Sequence, residues 1–211
     1  MSLRQEMDTI YRELQLDQIP WNLEHPPELL VELVGTGKVP PCDAVDVGCG
    51  AGNYAVWLAA QGFKVTGVDL SPVAIQLASE LAREKGVECR FLAGDLTSDR
   101  FTHDACFDFG YDWEVLHHVV PAQRKAFVRN VHRLLRPGAR YLSVCFSEDD
   151  PGFGGQGKYR RTSLGTELYF SSPDEIERLF SSRFQILELE TKTIEGKRGA
   201  HLAVVALLKR D

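Results

Sequence analysis

The 211 residues carry a formal charge of −6 and 44% apolar side chains, enough to bury one substantial core but not two. An acidic chain lacks the broad basic field that a phosphate backbone requires. No run of about 18 apolar residues offers a membrane span, and the opening M-S-L-R-Q-E-M-D is too polar for a secretory leader. We therefore expect a single cytoplasmic domain, monomeric or homodimeric, with no nucleic-acid or membrane partner.

Residues 1–41 read as a helical arm: a first helix, the loop I-P-W-N-L-E-H-P-P-E-L, and a second helix. Pro20 cannot continue a helix and restricts the residue before it. Trp21, held by flanking prolines, either packs the arm on the core or caps a ligand. The core is expected over residues 42–211. It opens with a buried strand running into Val45–Gly52, V-D-V-G-C-G-A-G, where glycines let the backbone take positive φ and let a ligand approach. A dinucleotide fingerprint would require glycine where this chain has Asn53, so the register disfavours a nicotinamide-dependent oxidoreductase.

Strand and helix signals then alternate as a doubly wound sheet requires. A helix over Asn53–Ala60 stops near Gly62, and a strand over Phe63–Val68 ends at Asp69, an acid placed to accept ribose hydroxyls. Ser71-Pro72 caps a helix that stops at Gly86. Val87–Ala93 is a third strand, leading into Gly94-Asp95-Leu96. Phe107–Trp113 is a fourth. Pro121 opens a helix ended by Arg136-Pro137-Gly138, and Tyr141–Phe146 is a fifth strand. Residues 147–168, rich in glycine, form a mobile lid-like insertion. Ser172-Pro173-Asp174-Glu175 has capping-box spacing, and Phe184–Ile194 with Ala200–Lys209 reads as an antiparallel hairpin.

The ordered set V-D-V-G-C-G-A-G-N-Y-A, G-V-D-L-S and G-D-L resembles the class I S-adenosylmethionine-dependent methyltransferases. The resemblance implies a Rossmann-like α/β fold with helices on both faces of a seven-stranded sheet, in order 3-2-1-4-5-7-6 with the last strand antiparallel. It also implies S-adenosylmethionine as cofactor and S-adenosylhomocysteine as product. Asp46 and the turn Gly48, Cys49, Gly50, Gly52 and Asn53 would face the methionine part. Asp69 with Leu70 would hold the ribose, and Asp95 with Leu96 would border the adenine. Trp21, Tyr111 and Trp113 would join that lining. The arm I-P-W-N near P-P-E-L is similar to that of thiopurine, tellurite-resistance and halide/thiol methyltransferases, although Asn22 stands where those commonly have Asp.

Methyl transfer from a sulfonium is an in-line displacement that chiefly requires a close, aligned and dry nucleophile. A thiol with a pKa near ~8.5 is partly ionised already, whereas an unactivated hydroxyl needs a base. Asp112, His117 and His118, in Y-D-W-E-V-L-H-H after the fourth strand, are the candidate proton-handling groups. If a helix begins near Glu114, the two histidines point about 100° apart and at most one faces a pocket. Glu114 and His117 have the spacing of two metal ligands but lack others nearby, and Cys42, Cys49, Cys89, Cys106 and Cys145 are scattered singly, so no metal is expected. Trp113, Tyr159 and Arg160 are candidate substrate contacts, the last two otherwise belonging to a solvated turn. The expected function is methyl transfer to a small-molecule acceptor, a thiol or another soft nucleophile. The alternative is a non-catalytic module that binds S-adenosylmethionine or S-adenosylhomocysteine to regulate a partner.

Overall fold

The computed structural model describes residues 2–101 and 107–211; Cys106 lies outside the described residues. Contacts divide the chain into two units, Met1–Asp95 with Phe107–Phe109, and Leu96–Cys106 with Gly110–Asp211.

The first unit holds helices α1 (Leu3–Glu13) and α2 (Glu28–Gly35), then β1 (Asp43–Val47), α3 (Asn53–Ala60), β2 (Lys64–Asp69), α4 (Pro72–Lys85) and β3 (Cys89–Ala93). Parallel pairing of β1 with β2 and of β2 with β3 places Val47 beside Val68 and Asp69 beside Ala93. Ser71 accepts a bond from the Ala74 amide, Pro72 takes the first turn, and Gly86 ends α4 at φ 66°, the combination of cap, proline and left-handed glycine that sets a helix at both ends. Ala44, Val45 and Val47 of β1 are buried with Ala55 and Leu58 of α3 and Ala74 and Ala78 of α4.

The second unit carries most of β4 (Phe107–Trp113), a 3-10 turn (Leu116–His118), α5 (Pro121–Leu134), β5 (Leu135–Phe146), β6 (Tyr159–Arg161), β7 (Glu167–Tyr169), α6 (Pro173–Phe180), β8 (Phe184–Ile194) and β9 (His201–Arg210). The seven long strands run in the order β3-β2-β1-β4-β5-β9-β8, with β9 antiparallel to both β5 and β8. That is the expected order, β8 and β9 standing as the sixth and seventh strands. Among the described residues no helix is long and apolar enough to cross a membrane.

Three local expectations change. The fifth strand begins at Leu135 rather than Tyr141, because Arg136 precedes a proline and is held extended. No helix starts near Glu114. That residue sits at φ 61°, outside the helical region, and only the short 3-10 turn follows. The glycine-rich segment after β5 contains a hairpin of β6 and β7, paired Tyr159 to Tyr169 and Arg161 to Glu167.

Candidate active site

The first unit builds a turn at the carboxyl ends of β1 and β2. The amides of Gly48 and Cys49 both donate to the Val68 carbonyl, at 2.7 and 3.1 Å. The Asp69 carboxylate accepts from the Gly50 amide at 2.9 Å through one oxygen and from the Ser71 amide at 2.8 Å through the other. Burial raises the Asp69 pKa, and backbone hydrogen bonds from Ser71, Gly50 and Leu70 oppose that rise. A carboxylate has about four lone-pair sites, so acceptor capacity is left for a ligand. Asp46 is buried beneath the turn, Leu70 is half-buried, Asp95 is exposed and Leu96 is buried. Cys49 is buried with its thiol pKa pushed up, chiefly by desolvation and then by Asp46 and Asp69.

The glycines of the turn do different work. A Cβ on Gly52 would lie 2.7 Å from the Ala78 Cβ, so this glycine lets α4 close on the turn rather than making room for a ligand. A Cβ on Gly50, at φ 52°, would lie 2.6 Å from the Tyr11 hydroxyl. Tyr11 is buried and accepts a hydrogen bond from Trp21 Nε1 at 2.8 Å, the two rings meeting edge to face at 6.3 Å. Burial raises its pKa, with a further contribution from Asp69. The arm is pinned a second time where Asn53 Nδ2 donates to Asn22 Oδ1 at 2.8 Å, and a third where the Ser71 hydroxyl donates to Asp8. Tyr11 and Asp8 carry no local signal, since only contact with residues far along the chain gives them a role. Trp21 was legible from its prolines.

In the second unit, Tyr111, Asp112 and Trp113 are buried at the end of β4. Asp112 accepts from the Tyr141 hydroxyl at 2.8 Å, and desolvation lifts its pKa to about 6. The His117 ring stacks on Phe146 at 4.3 Å and 12° and lies 4.7 Å from His118. The two histidines therefore share one place instead of diverging around a helix. Desolvation lowers the His118 pKa to about 4. Desolvation, then His118 and Arg124, hold His117 well below the ordinary histidine range. Both shifts favour the neutral imidazole. His117 is 3% exposed and its Nδ1 has no hydrogen-bond partner among the described residues. Among those residues no group of three or more His, Cys, Asp or Glu is arranged to hold a metal.

Arg160 requires a correction. It is buried rather than presented to a substrate, and its guanidinium donates to the carbonyls of Glu148, Asp150, Gly152 and Gly157 while lying 4.0 Å above the Phe170 ring. With four of its five N–H donors engaged, it shapes the segment after β5. Tyr159 is 55% exposed and meets Tyr169 edge to face at 5.0 Å.

His201, which carried no sequence signal, pairs with Glu114 at 2.5 Å and so ties β9 to the left-handed residue after β4. Burial opposes its charge, but the hydrogen bond and charge of Glu114, with Asp150, raise its pKa above 6.5. A raised folded pKa gives stability that is complete below the unfolded value and is lost as pH rises through the folded one. Thermal melts from pH 6 to 8.5 should therefore show wild type losing stability relative to His201→Gln as the pH climbs. Parallel curves would remove the ion pair as the cause.

A parallel sheet with an antiparallel hairpin at one edge, and a glycine turn closed by the acid of the next strand, defines the class I methyltransferase fold. Residues 44–138 match the family described as methyltransferase domain. The chain is 30% identical over 153 residues to 2-heptyl-1-hydroxyquinolin-4(1H)-one methyltransferase of Mycobacteroides abscessus, covering 70% of this chain and 66% of that protein. It is 28% identical over 137 residues to probable thiol methyltransferase 2 of Arabidopsis thaliana, covering 64% and 60%. The solved structure of a SAM-dependent methyltransferase from Methanosarcina mazei superposes with a TM-score of 0.72 at 25% identity, over 89% of this chain and 99% of that one. The matches span just under two thirds of those two curated relatives. Over the matched residues the chain is similar to S-adenosylmethionine-dependent methyltransferases.

Proposed function

We propose that this protein methylates a small-molecule acceptor acidic enough to ionise near neutrality, a thiol or a heteroaromatic hydroxyl. The observation that carries this reading is His117, buried and with no hydrogen-bond partner for its Nδ1 among the described residues. An imidazole whose pKa is pushed well below the usual range is a weak base, so it suits an acceptor that gives up its proton readily. A thiol near ~8.5 meets that requirement and an aliphatic alcohol does not. The names of the two relatives, one for a hydroxyquinolone and one for thiols, support the same chemistry.

S-adenosylmethionine, when bound, supplies a methyl group on a sulfonium that departs as a neutral thioether. The first unit fits that cofactor. Asp69 keeps lone pairs for ribose hydroxyls, and Gly50 lets the turn pass without a side chain beneath Tyr11. Asp46, Gly48, Cys49 and Asn53 would line its methionine part and Leu70 and Asp95 its nucleoside, with Trp21 on the same unit. His117 would take the acceptor proton at Nδ1, His118 and Asp112 would support it, and Trp113 and Tyr159 would contact the acceptor. Four cysteines among the described residues, Cys42, Cys49, Cys89 and Cys145, stand outside disulfides, which favours the reducing cytoplasm.

Calorimetry with S-adenosylmethionine and S-adenosylhomocysteine, followed by a product assay over thiols, hydroxyquinolones, phenols, amines and halides, tests the reading. Transfer rates that rise with acceptor acidity are expected, and transfer confined to amines or aliphatic alcohols would overturn it. His117→Ala should lower turnover roughly 10- to 100-fold while S-adenosylhomocysteine affinity stays within about threefold, since the residue is assigned to the acceptor and not to the cofactor. Unaltered turnover would return His117 to a packing role.

A further inference from the structure

We infer that Arg124 is a positioning residue: its buried guanidinium sets the orientation of His117 by joining the histidine turn to Ser171, whose amide is bonded to the Phe146 carbonyl. The inference rests on the acceptor-side reading of His117 given above.

Arg124 lies in the first turn of α5 and is buried. Its Nε donates to the Val119 carbonyl at 2.9 Å, and its Nη2 donates to the Leu116 carbonyl at 2.9 Å and the Tyr169 carbonyl at 3.2 Å. Its Nη1 donates to the Ser171 hydroxyl at 2.7 Å, and its plane lies 4.6 Å above the Tyr169 ring. Leu116 and Val119 bracket His117. Ser171 is laced to the other side, its amide donating to the Phe146 carbonyl and its carbonyl accepting from the Glu148 amide, each at 3.0 Å.

His117 Nδ1 has no hydrogen-bond partner among the described residues, and the ring is placed by stacking on Phe146. Arg124 bonds to the turn on one side and to Ser171 on the other, and Ser171 is in turn bonded to the Phe146 carbonyl, so the clasp helps to keep the two rings in register. The charge is costly here, because desolvation lowers the Arg124 pKa and all four acceptors are neutral. A buried cation held by neutral groups is poor value for stability alone. What arginine adds is reach: a planar fork with five donors spans acceptors on two segments, which the two donors of glutamine or the single nitrogen of lysine cannot.

The test uses the full-length protein with ¹⁵N-labelled histidine and the variants Arg124→Gln, Arg124→Lys and Ser171→Ala. In wild type, face-to-face stacking should shift the His117 ring protons upfield. In folded Arg124→Gln that shift should be lost, turnover should fall at least about tenfold, and S-adenosylhomocysteine affinity should stay within about threefold. Arg124→Lys should not restore the shift. Ser171→Ala removes one of the four bonds and should move the resonance the same way by less, so it decides the question if Arg124→Gln does not fold. Unchanged His117 resonances in the folded variants, or full rescue by lysine, would overturn the assignment. The resonance needs no acceptor, so failure of the clasp is separable from failure of the proposed reaction.

Discussion

Asp69→Ala should weaken S-adenosylhomocysteine binding by at least ~30-fold, about 2 kcal/mol, on the scale of charge-assisted hydrogen bonds. Two losses combine. The ligand loses an anionic acceptor, and the Gly50 and Ser71 amides lose the carboxylate that accepts from both. Asp69→Asn separates them, since its carbonyl oxygen can keep one amide bond while its amide nitrogen can only donate. Titration calorimetry of the three proteins should give wild type tightest and alanine weakest. Equal affinities would withdraw the ribose role from Asp69 and leave it a turn-closing residue.

Gly50→Ala should be a strongly destabilising one-carbon change in the first unit. Its new Cβ would meet the Tyr11 hydroxyl at 2.6 Å on a backbone at φ 52°. Left-handed strain costs about 1–2 kcal/mol and overpacking about 1–3, so roughly 3 kcal/mol is expected from urea unfolding. The added Tyr11→Phe change deletes the oxygen, and the next ring atom, 3.7 Å away, is at ordinary contact distance. The double variant should therefore recover the steric part and keep the backbone part. If Tyr11→Phe recovers nothing, the arm does not press on the turn.

What the sequence reveals here is whatever is decided locally. Ser71, Pro72 and Gly86 mark α4 at both ends because caps act within one turn of helix. The period-two and continuous apolar runs mark the strands, and their sheet order followed from the family. Glu114 escaped because its left-handed backbone is imposed by tertiary partners, the Val144 carbonyl on its amide and His201 on its carboxylate. Tyr11, Arg124 and His201 were invisible as site residues for a related reason: each looks like an ordinary member of its element until residues tens of positions away supply its partners. Arg160 misled in the opposite direction. A basic residue in a glycine-rich stretch reads as solvated, yet burial is settled by whether its donors find carbonyls.

That arginine has a consequence for how its segment behaves. Residues 148–157 include Gly152, Gly154, Gly155 and Gly157, a composition with high chain entropy, and one side chain gathers four of the segment's carbonyls. The stretch is in effect a closed ring without a covalent bond. Lengthening it by one residue would displace the carbonyls from the fork, whereas the turn at 162–166 lies outside the ring and is closed by its own bonds between Thr162 and Thr166.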